Sequence, residues 1–257
     1  MRILVIDDTS IHQMSARQTL VGHELTVVGT YDEAYELLEE PAAPWQTVSD
    51  ELDRRGFKDP YAKETTDVER ADRLMERIKL EKELCPPPSF DVVLCDLLMP
   101  AGKTQMGPKG MKYVGQEMPV GFALSLMAAI HGAKYVAVVT DTNHHDHPAA
   151  AMLDPFLSRC PHKDSTESGP PRFVTNGAII GYYQSPLTPV DGTACEDCNG
   201  TGNKNECSCK ARNGGSPKPD CDSCNGAGHG CWKCRNTGKQ WGKDWGMVLF
   251  HLIAKTG

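Results

Sequence analysis

Eleven cysteines stand in this 257-residue chain, and eight of them fall in pairs. Cys195 and Cys198 sit in CEDCNGTG, Cys207 and Cys209 in the tighter CSC, Cys221 and Cys224 in CDSCNGAG, and Cys231 and Cys234 in CWKCRNTG. Cysteines at Cys-x-x-Cys spacing present both sulfurs to one tetrahedral metal, and the glycines behind them let the backbone turn back beneath it. Eight thiolates fill two four-coordinate sites and leave no position open, the arrangement of structural rather than catalytic zinc. The rival readings are a disulfide framework, which needs an oxidising compartment, or free thiols. The spacing favours zinc. Metal would supply about 10–16 kcal/mol per site, which a segment this poor in apolar residues needs in order to fold.

These residues resemble the cysteine-rich zinc finger of the J-domain chaperones (DnaJ type), built on four copies of Cys-x-x-Cys-x-Gly-x-Gly. The resemblance implies that Cys195, Cys198, Cys231 and Cys234 hold one zinc. It implies that Cys207, Cys209, Cys221 and Cys224 hold a second. The second repeat departs from the pattern, with one residue between its cysteines and no glycines, and the fourth has Arg-Asn-Thr-Gly. No J-domain accompanies the finger, since His145-Asp146-His147-Pro148 does not supply its His-Pro-Asp tripeptide.

A second set of candidates is acidic. Asp7 and Asp8 follow the apolar run 2–6, Asp96 ends the run 90–96, and Thr140 ends the run 134–140. Carboxylates gathered with a hydroxyl form a hard-oxygen site suited to Mg²⁺. An aspartate beside a bound divalent ion can act as a nucleophile toward a phosphoryl group, because the ion offsets the charge that would repel it.

The elements that must bring these acids together follow from periodicity. Residues 2–6 form a continuous apolar run, as in a parallel strand buried on both faces. Thr9-Ser10 cap a helix through about Leu20, 25–28 is a second strand, and 31–40 an amphipathic helix. Residues 41–89 interrupt the alternation with a charged helix over 62–84, whose apolar positions are Val68, Leu74, Met75, Ile78 and Leu84. A third strand ends at Asp96. A Gly- and Lys-rich stretch, 101–119, reads as a lid-like loop. A helix over 121–131, a strand over 134–140, a helix near 148–158 and a fifth strand starting at 172–175 follow, and 245–255 closes the chain as an apolar helix. Alternating strands and helices predict a doubly wound α/β fold with a five-stranded parallel sheet, in which function gathers at the carboxyl ends of the strands. The expected organisation is one α/β domain over 1–190 and 240–257, with insertions at 41–89 and 101–119 and a small two-zinc domain inserted at 191–239.

This pattern resembles the receiver domain of bacterial two-component response regulators. The resemblance is carried by Ile3-Leu4-Val5-Ile6-Asp7-Asp8, by Asp91 through Pro100, and by Val138-Val139-Thr140. It implies that Asp96 is the phosphoacceptor, that Asp7 and Asp8 with Asp96 bind Mg²⁺, that Thr140 is the hydroxyl that follows the phosphoryl group, and that Phe173 is a switch aromatic on the fifth strand. Receivers carry a Lys-Pro pair three residues after that aromatic, where this chain has Asn176-Gly177. An asparagine cannot supply the lysine's charge. Asp141, where a small residue is usual, adds a further negative group.

The reading is therefore a receiver-like regulatory and protein-interaction module, degenerate in phosphotransfer and not an enzyme, with the finger as a protein-binding platform. Its rivals are a working Mg²⁺-dependent phosphoacceptor at Asp96 and a chaperone-like peptide binder. A net charge of −7 argues against nucleic acid as a partner. No run approaches a membrane span, the N-terminus lacks a signal-peptide layout, and a reducing cytoplasm suits the thiols. Weaker signals are His144, His145 and His147 as metal ligands, Met106, Met111 and Met118 in the 101–119 loop, and Trp232, Trp241 and Trp245 around the finger's exit.

Overall fold

The computed structural model describes residues 1–39, 45–62, 65–84, 87–142, 147–153, 156–159, 172–200, 203–204, 229–230, 234–235 and 237–254. In chain order the elements are β1 (Arg2–Ile6), α1 (Ser10–Thr19), β2 (Glu24–Val28), α2 (Tyr31–Leu38), α3 (Trp45–Arg54), α4 (Asp67–Leu84), β3 (Val92–Asp96), β4 (Met99–Pro100), β5 (Glu117–Met118) and α5 (Val120–Ile130). Then come β6 (Tyr135–Thr140), α6 (Pro148–Leu153), β7 (Leu157–Arg159), β8 (Arg172–Thr175), β9 (Ala178–Gln184), β10 (Leu187–Pro189), β11 (Asn203–Lys204), β12 (His229–Gly230), β13 (Trp241–Lys243) and the closing helix α7 (Trp245–Ile253).

The main sheet runs β2-β1-β3-β6-β9-β7, with β8 also paired to β9. All these pairings are parallel except β8 with β9. The first five strands have the order of a doubly wound, flavodoxin-like sheet. Successive residues of a strand face opposite sides, and the two sides carry separate cores. Leu4, Ile6, Val93, Cys95, Val136, Val138 and Ile180 pack under α2 and α5. Ile3, Val5, Val92, Leu94, Ala137, Val139 and Tyr183 pack under α1 and α7, where Trp245 is fully buried. With both faces covered, the central strands read as unbroken apolar runs.

Three expectations change. First, the fifth parallel strand is β9, not residues 172–175. Asn176 (φ 48°) and Gly177 (φ 79°) form a tight turn between β8 and β9. Left-handed backbone at both central residues of a two-residue hairpin loop is the Asn-Gly signature. Phe173 thus lies on an antiparallel edge strand, partly exposed, with its ring edge-on to Phe156 and Tyr182.

Second, the insertion before β3 holds two helices, α3 and α4, joined by a small core of Val48, Leu52 and Leu80 with Phe57 against it. Buried Arg73 donates to Asp53 and to the carbonyls of Phe57 and Lys58. Val68, Leu74, Met75, Ile78 and Leu84, the apolar positions read from sequence, all stay exposed. Third, the helix near 148–158 stops at Leu153, and Leu157–Arg159 extends the sheet edge. The 101–119 stretch is closed at its root by the β4–β5 ladder and pinned by Asp32, whose carboxylate accepts the N–H groups of Lys103 and Thr104. The Thr104 side-chain hydrogen bond, with those of the two N–H groups, holds Asp32 below the usual carboxylate range. No helix among the described residues is long and apolar enough to cross a membrane.

Candidate functional site

β1 and β3 are adjacent and in register, Ile6 beside Cys95, so the residues that follow them meet at one sheet edge. Asp7, Asp8 and Asp96 have carboxylate oxygens within 4.8 Å of one another. Asp7 is fully buried, Asp96 nearly so, and Asp8 faces solvent. Asp7 Oδ1 accepts the Thr9 N–H at 2.9 Å, which fixes that carboxylate at the mouth of α1. Thr140 reaches the same edge one residue beyond the pair Asp96–Val139 and is buried. Its Oγ1 accepts the Thr142 N–H. At Gly121 a Cβ would stand 1.8 Å from the Asp96 carbonyl oxygen, so only glycine lets α5 start this close beneath the acid.

Within the acid cluster lies a cation that the order of residues along the chain does not advertise. Lys243, fully buried, places Nζ 2.7 Å from Asp7 Oδ2, 2.8 Å from Asp96 Oδ1 and 3.4 Å from Asp141 Oδ1. The premise that this acidic edge lacks its basic counterpart is overturned. Asn176, at the position where the receiver resemblance implies a lysine, lies in a hairpin turn, and the lysine arrives instead after the cysteine-rich segment. β13 returns antiparallel along β10, pairing Leu187 with Lys243, and so brings residue 243 back beside the end of β9.

α1 is the surface on which this returning strand lands. The Ser15 hydroxyl donates to the Lys243 carbonyl, and the Lys243 N–H donates to His12 Nδ1 at 3.2 Å. The Trp245 indole N–H donates to the His12 carbonyl, and Gln18 Nε2 to the Pro189 carbonyl. A Cβ on Gly242 would lie 2.6 Å from Ser15 Cβ and 2.9 Å from the Ile11 carbonyl oxygen, so the approach requires glycine.

The electrostatics follow from four carboxylates around one ammonium. Burial, with Asp7 and Asp141 nearby, pushes the Asp96 carboxyl up to about 7 despite the pull of Lys243. Burial also raises Asp8, and Asp7 adds to it. For Lys243 burial alone would favour the neutral amine, but Asp96, Asp7 and Asp141 outweigh it and hold the group charged. Asp141 feels burial in the opposite direction, yet His12 and Lys243 hold it well below the usual carboxylate range.

The second cluster is sulfur. Cys195, Cys198 and Cys234 are buried, and their Sγ atoms lie within 4.8 Å of one another. Cys198 and Cys234 sulfurs are 3.7 Å apart, far beyond the ~2.05 Å of a disulfide bond. The chain doubles back through left-handed residues behind two of the three cysteines, Asn199 and Gly200 behind Cys198 and Arg235 behind Cys234. The Gly238 N–H donates to the Cys234 sulfur and the Cys195 N–H to the Gly238 carbonyl. Three thiols this close can hold one metal ion. Cys207, Cys209, Cys221, Cys224 and Cys231 lie outside the described residues, as do His144, His145 and Trp232. Trp241 packs on the three cysteines and donates its indole N–H to the Cys234 carbonyl.

Sequence reasoning placed Asp7, Asp8, Asp96 and Thr140 at one edge, and the structure brings them there. It missed Lys243 and His12. The signal for the lysine was a strand-end position in Gly-Lys-Asp-Trp, just before Asp244, which caps α7 by accepting the Met247 N–H. Asp7 and Asp96 hold the same strand-end place on β1 and β3. A scan against family models and searches of curated proteins and of solved structures return no match to this chain.

Proposed function

We propose that the chain is a receiver-like regulatory module that accepts a phosphoryl group on Asp96 and carries a zinc-bound cysteine platform for a protein partner. The observation that carries this reading is the Lys243 ammonium seated between Asp7 and Asp96. It supports a working phosphoacceptor over a degenerate one.

The donor residues suit a divalent ion. Asp7, Asp8 and Asp96 offer hard oxygens, and Asp8 is open to solvent, where a small ion keeps its waters. Bound there, Mg²⁺ would supply the positive charge that lets a phosphoryl group approach three carboxylates. An oxygen of Asp96 attacks the phosphorus, the bond from phosphorus to the donor's leaving atom breaks, and its electron pair departs with the donor. Lys243 would neutralise charge on the transferred oxygens, and the Thr140 hydroxyl would donate to one of them. Thiolates are ligands of choice for zinc, and Cys195, Cys198 and Cys234 would supply three, with Cys231 the fourth by sequence. Cys207, Cys209, Cys221 and Cys224 would hold a second ion.

The test is incubation with Mg²⁺ and acetyl phosphate, followed by intact-mass measurement. One added phosphoryl group, lost in Asp96→Asn and in the absence of Mg²⁺, is expected. No adduct on the wild-type chain refutes the reading.

A further inference from the structure

Asp141 and His12 belong to none of the roles above, yet they close a ring around the Lys243 side chain. The Lys243 N–H donates to His12 Nδ1 at 3.2 Å. That ring nitrogen must accept, so the proton of the neutral imidazole sits on Nε2, which lies 3.2 Å from Asp141 Oδ2. Asp141 Oδ1 in turn lies 3.4 Å from Lys243 Nζ. The same imidazole thus holds the main chain of the lysine and, through one carboxylate, the far end of its side chain. Of the lysine's other side-chain partners, Asp7 and Asp96 grip only the ammonium and Ser15 only the main-chain carbonyl.

We propose that His12 and Asp141 act as a pair of positioning residues that fix the Lys243 ammonium against the phosphoacceptor oxygen of Asp96. A lysine side chain is long and flexible, and an ammonium stabilises developing charge best when it is in place beforehand. His12 is buried at the α1 surface that receives β13, while Asp141 is the first residue after β6. The ring therefore ties two separate elements, α1 and the end of β6, to a side chain carried by a third, β13. Asp141 remains ionised because His12 and Lys243 both favour its charged form, which suits an anchor. It does not suit a proton-transferring base.

The inference rests on the phosphoacceptor reading, and its test separates the two. Titrate the full chain, saturated with Mg²⁺, with beryllium trifluoride, a mimic of the bound phosphoryl group, and measure Mg²⁺ affinity independently. The mimic must contact Lys243, whereas Mg²⁺ uses Asp7, Asp8 and Asp96. His12→Leu and Asp141→Ala should each weaken the mimic by about tenfold, the low end for an outer-shell partner, and leave Mg²⁺ affinity within about twofold. His12→Gln, which can still accept from one side and donate to the other, should recover most of the loss. The double variant should lose no more than either single one, because the two residues act as a unit. Additive losses, equal losses of Mg²⁺ and mimic, or unchanged mimic affinity in Asp141→Ala would overturn the inference. Asp141 is partly exposed, so that variant stays informative even if His12→Leu does not fold. A wild-type chain that fails to bind the mimic refutes the phosphoacceptor reading instead.

Discussion

The acidic pocket and the cysteine knuckle are both clusters of three ligands within 4.8 Å, but they are held together by different things. The pocket is framed by strands with complete ladders, lies between two apolar cores, and contains its own cation. The knuckle has as its core the sulfurs themselves, with Trp241 as the apolar neighbour against them. On the proposed reading, three close thiols whose apolar neighbour among the described residues is Trp241 would depend on a bound ion for their stability, whereas the carboxylates are held by the sheet itself.

The largest effect should come from the knuckle. Cys198→Ser, or a strong chelator, should release metal and forfeit most of the about 10–16 kcal/mol that a thiolate site contributes to local folding. Metal content by mass spectrometry and circular dichroism melts check this. The sheet's main transition should survive, and a sheet that melts together with the knuckle would break the contrast.

A smaller effect is expected in the pocket. Lys243→Met leaves Asp7 and Asp96 buried without a counter-ion and should destabilise the sheet domain by about 3–5 kcal/mol in urea titrations. Millimolar Mg²⁺ should restore part of the loss, because the ion replaces the missing positive charge. Equal destabilisation with and without Mg²⁺ would show that the lysine contributes through packing alone.

The smallest effect concerns pH. Asp96 has its folded value raised to about 7 from an ordinary 3.8, so ionising it opposes folding. Its contribution is fully present below about pH 4 and is lost as pH rises through about 7. Asp96→Asn should therefore be more stable than the wild type at pH 8 and show little difference near pH 4. Melts at the two pH values, without divalent ions, decide it. A variant less stable at pH 8 would mean that the Lys243–Asp96 attraction outweighs burial.

Much of this was legible in local sequence. Apolar runs ending in Asp7-Asp8, Asp96 and Thr140 fix strands and the edge at which those residues lie, because a parallel strand buried on both faces leaves its polar groups at its ends. Cys-x-x-Cys spacing fixed a shared ligand position. Less legible was Asn176-Gly177, a hairpin signal that makes residues 172–175 an antiparallel edge strand and not the fifth parallel strand. The charged helix α4 was legible, but not which of its side chains is buried: its apolar residues Val68, Leu74, Met75, Ile78 and Leu84 point outward while Leu80 and Arg73 face α3. Periodicity shows that a helix has an apolar side, but the partner it packs on decides which side is buried.

By itself, then, the sequence determined the strands, the acids at their ends and the paired thiols, since each depends on neighbours a few residues away. Only the tertiary structure decided where the cation comes from. Lys243 lies beyond the whole cysteine-rich segment, and it reaches Asp7 and Asp96 because β13 pairs back onto β10 and Gly242 lets the backbone press against α1. That closure is a contact between segments more than two hundred residues apart, Ser15 with Lys243 among them. No local pattern encodes it, because its stability comes from packing and hydrogen bonds that exist only once the sheet has formed.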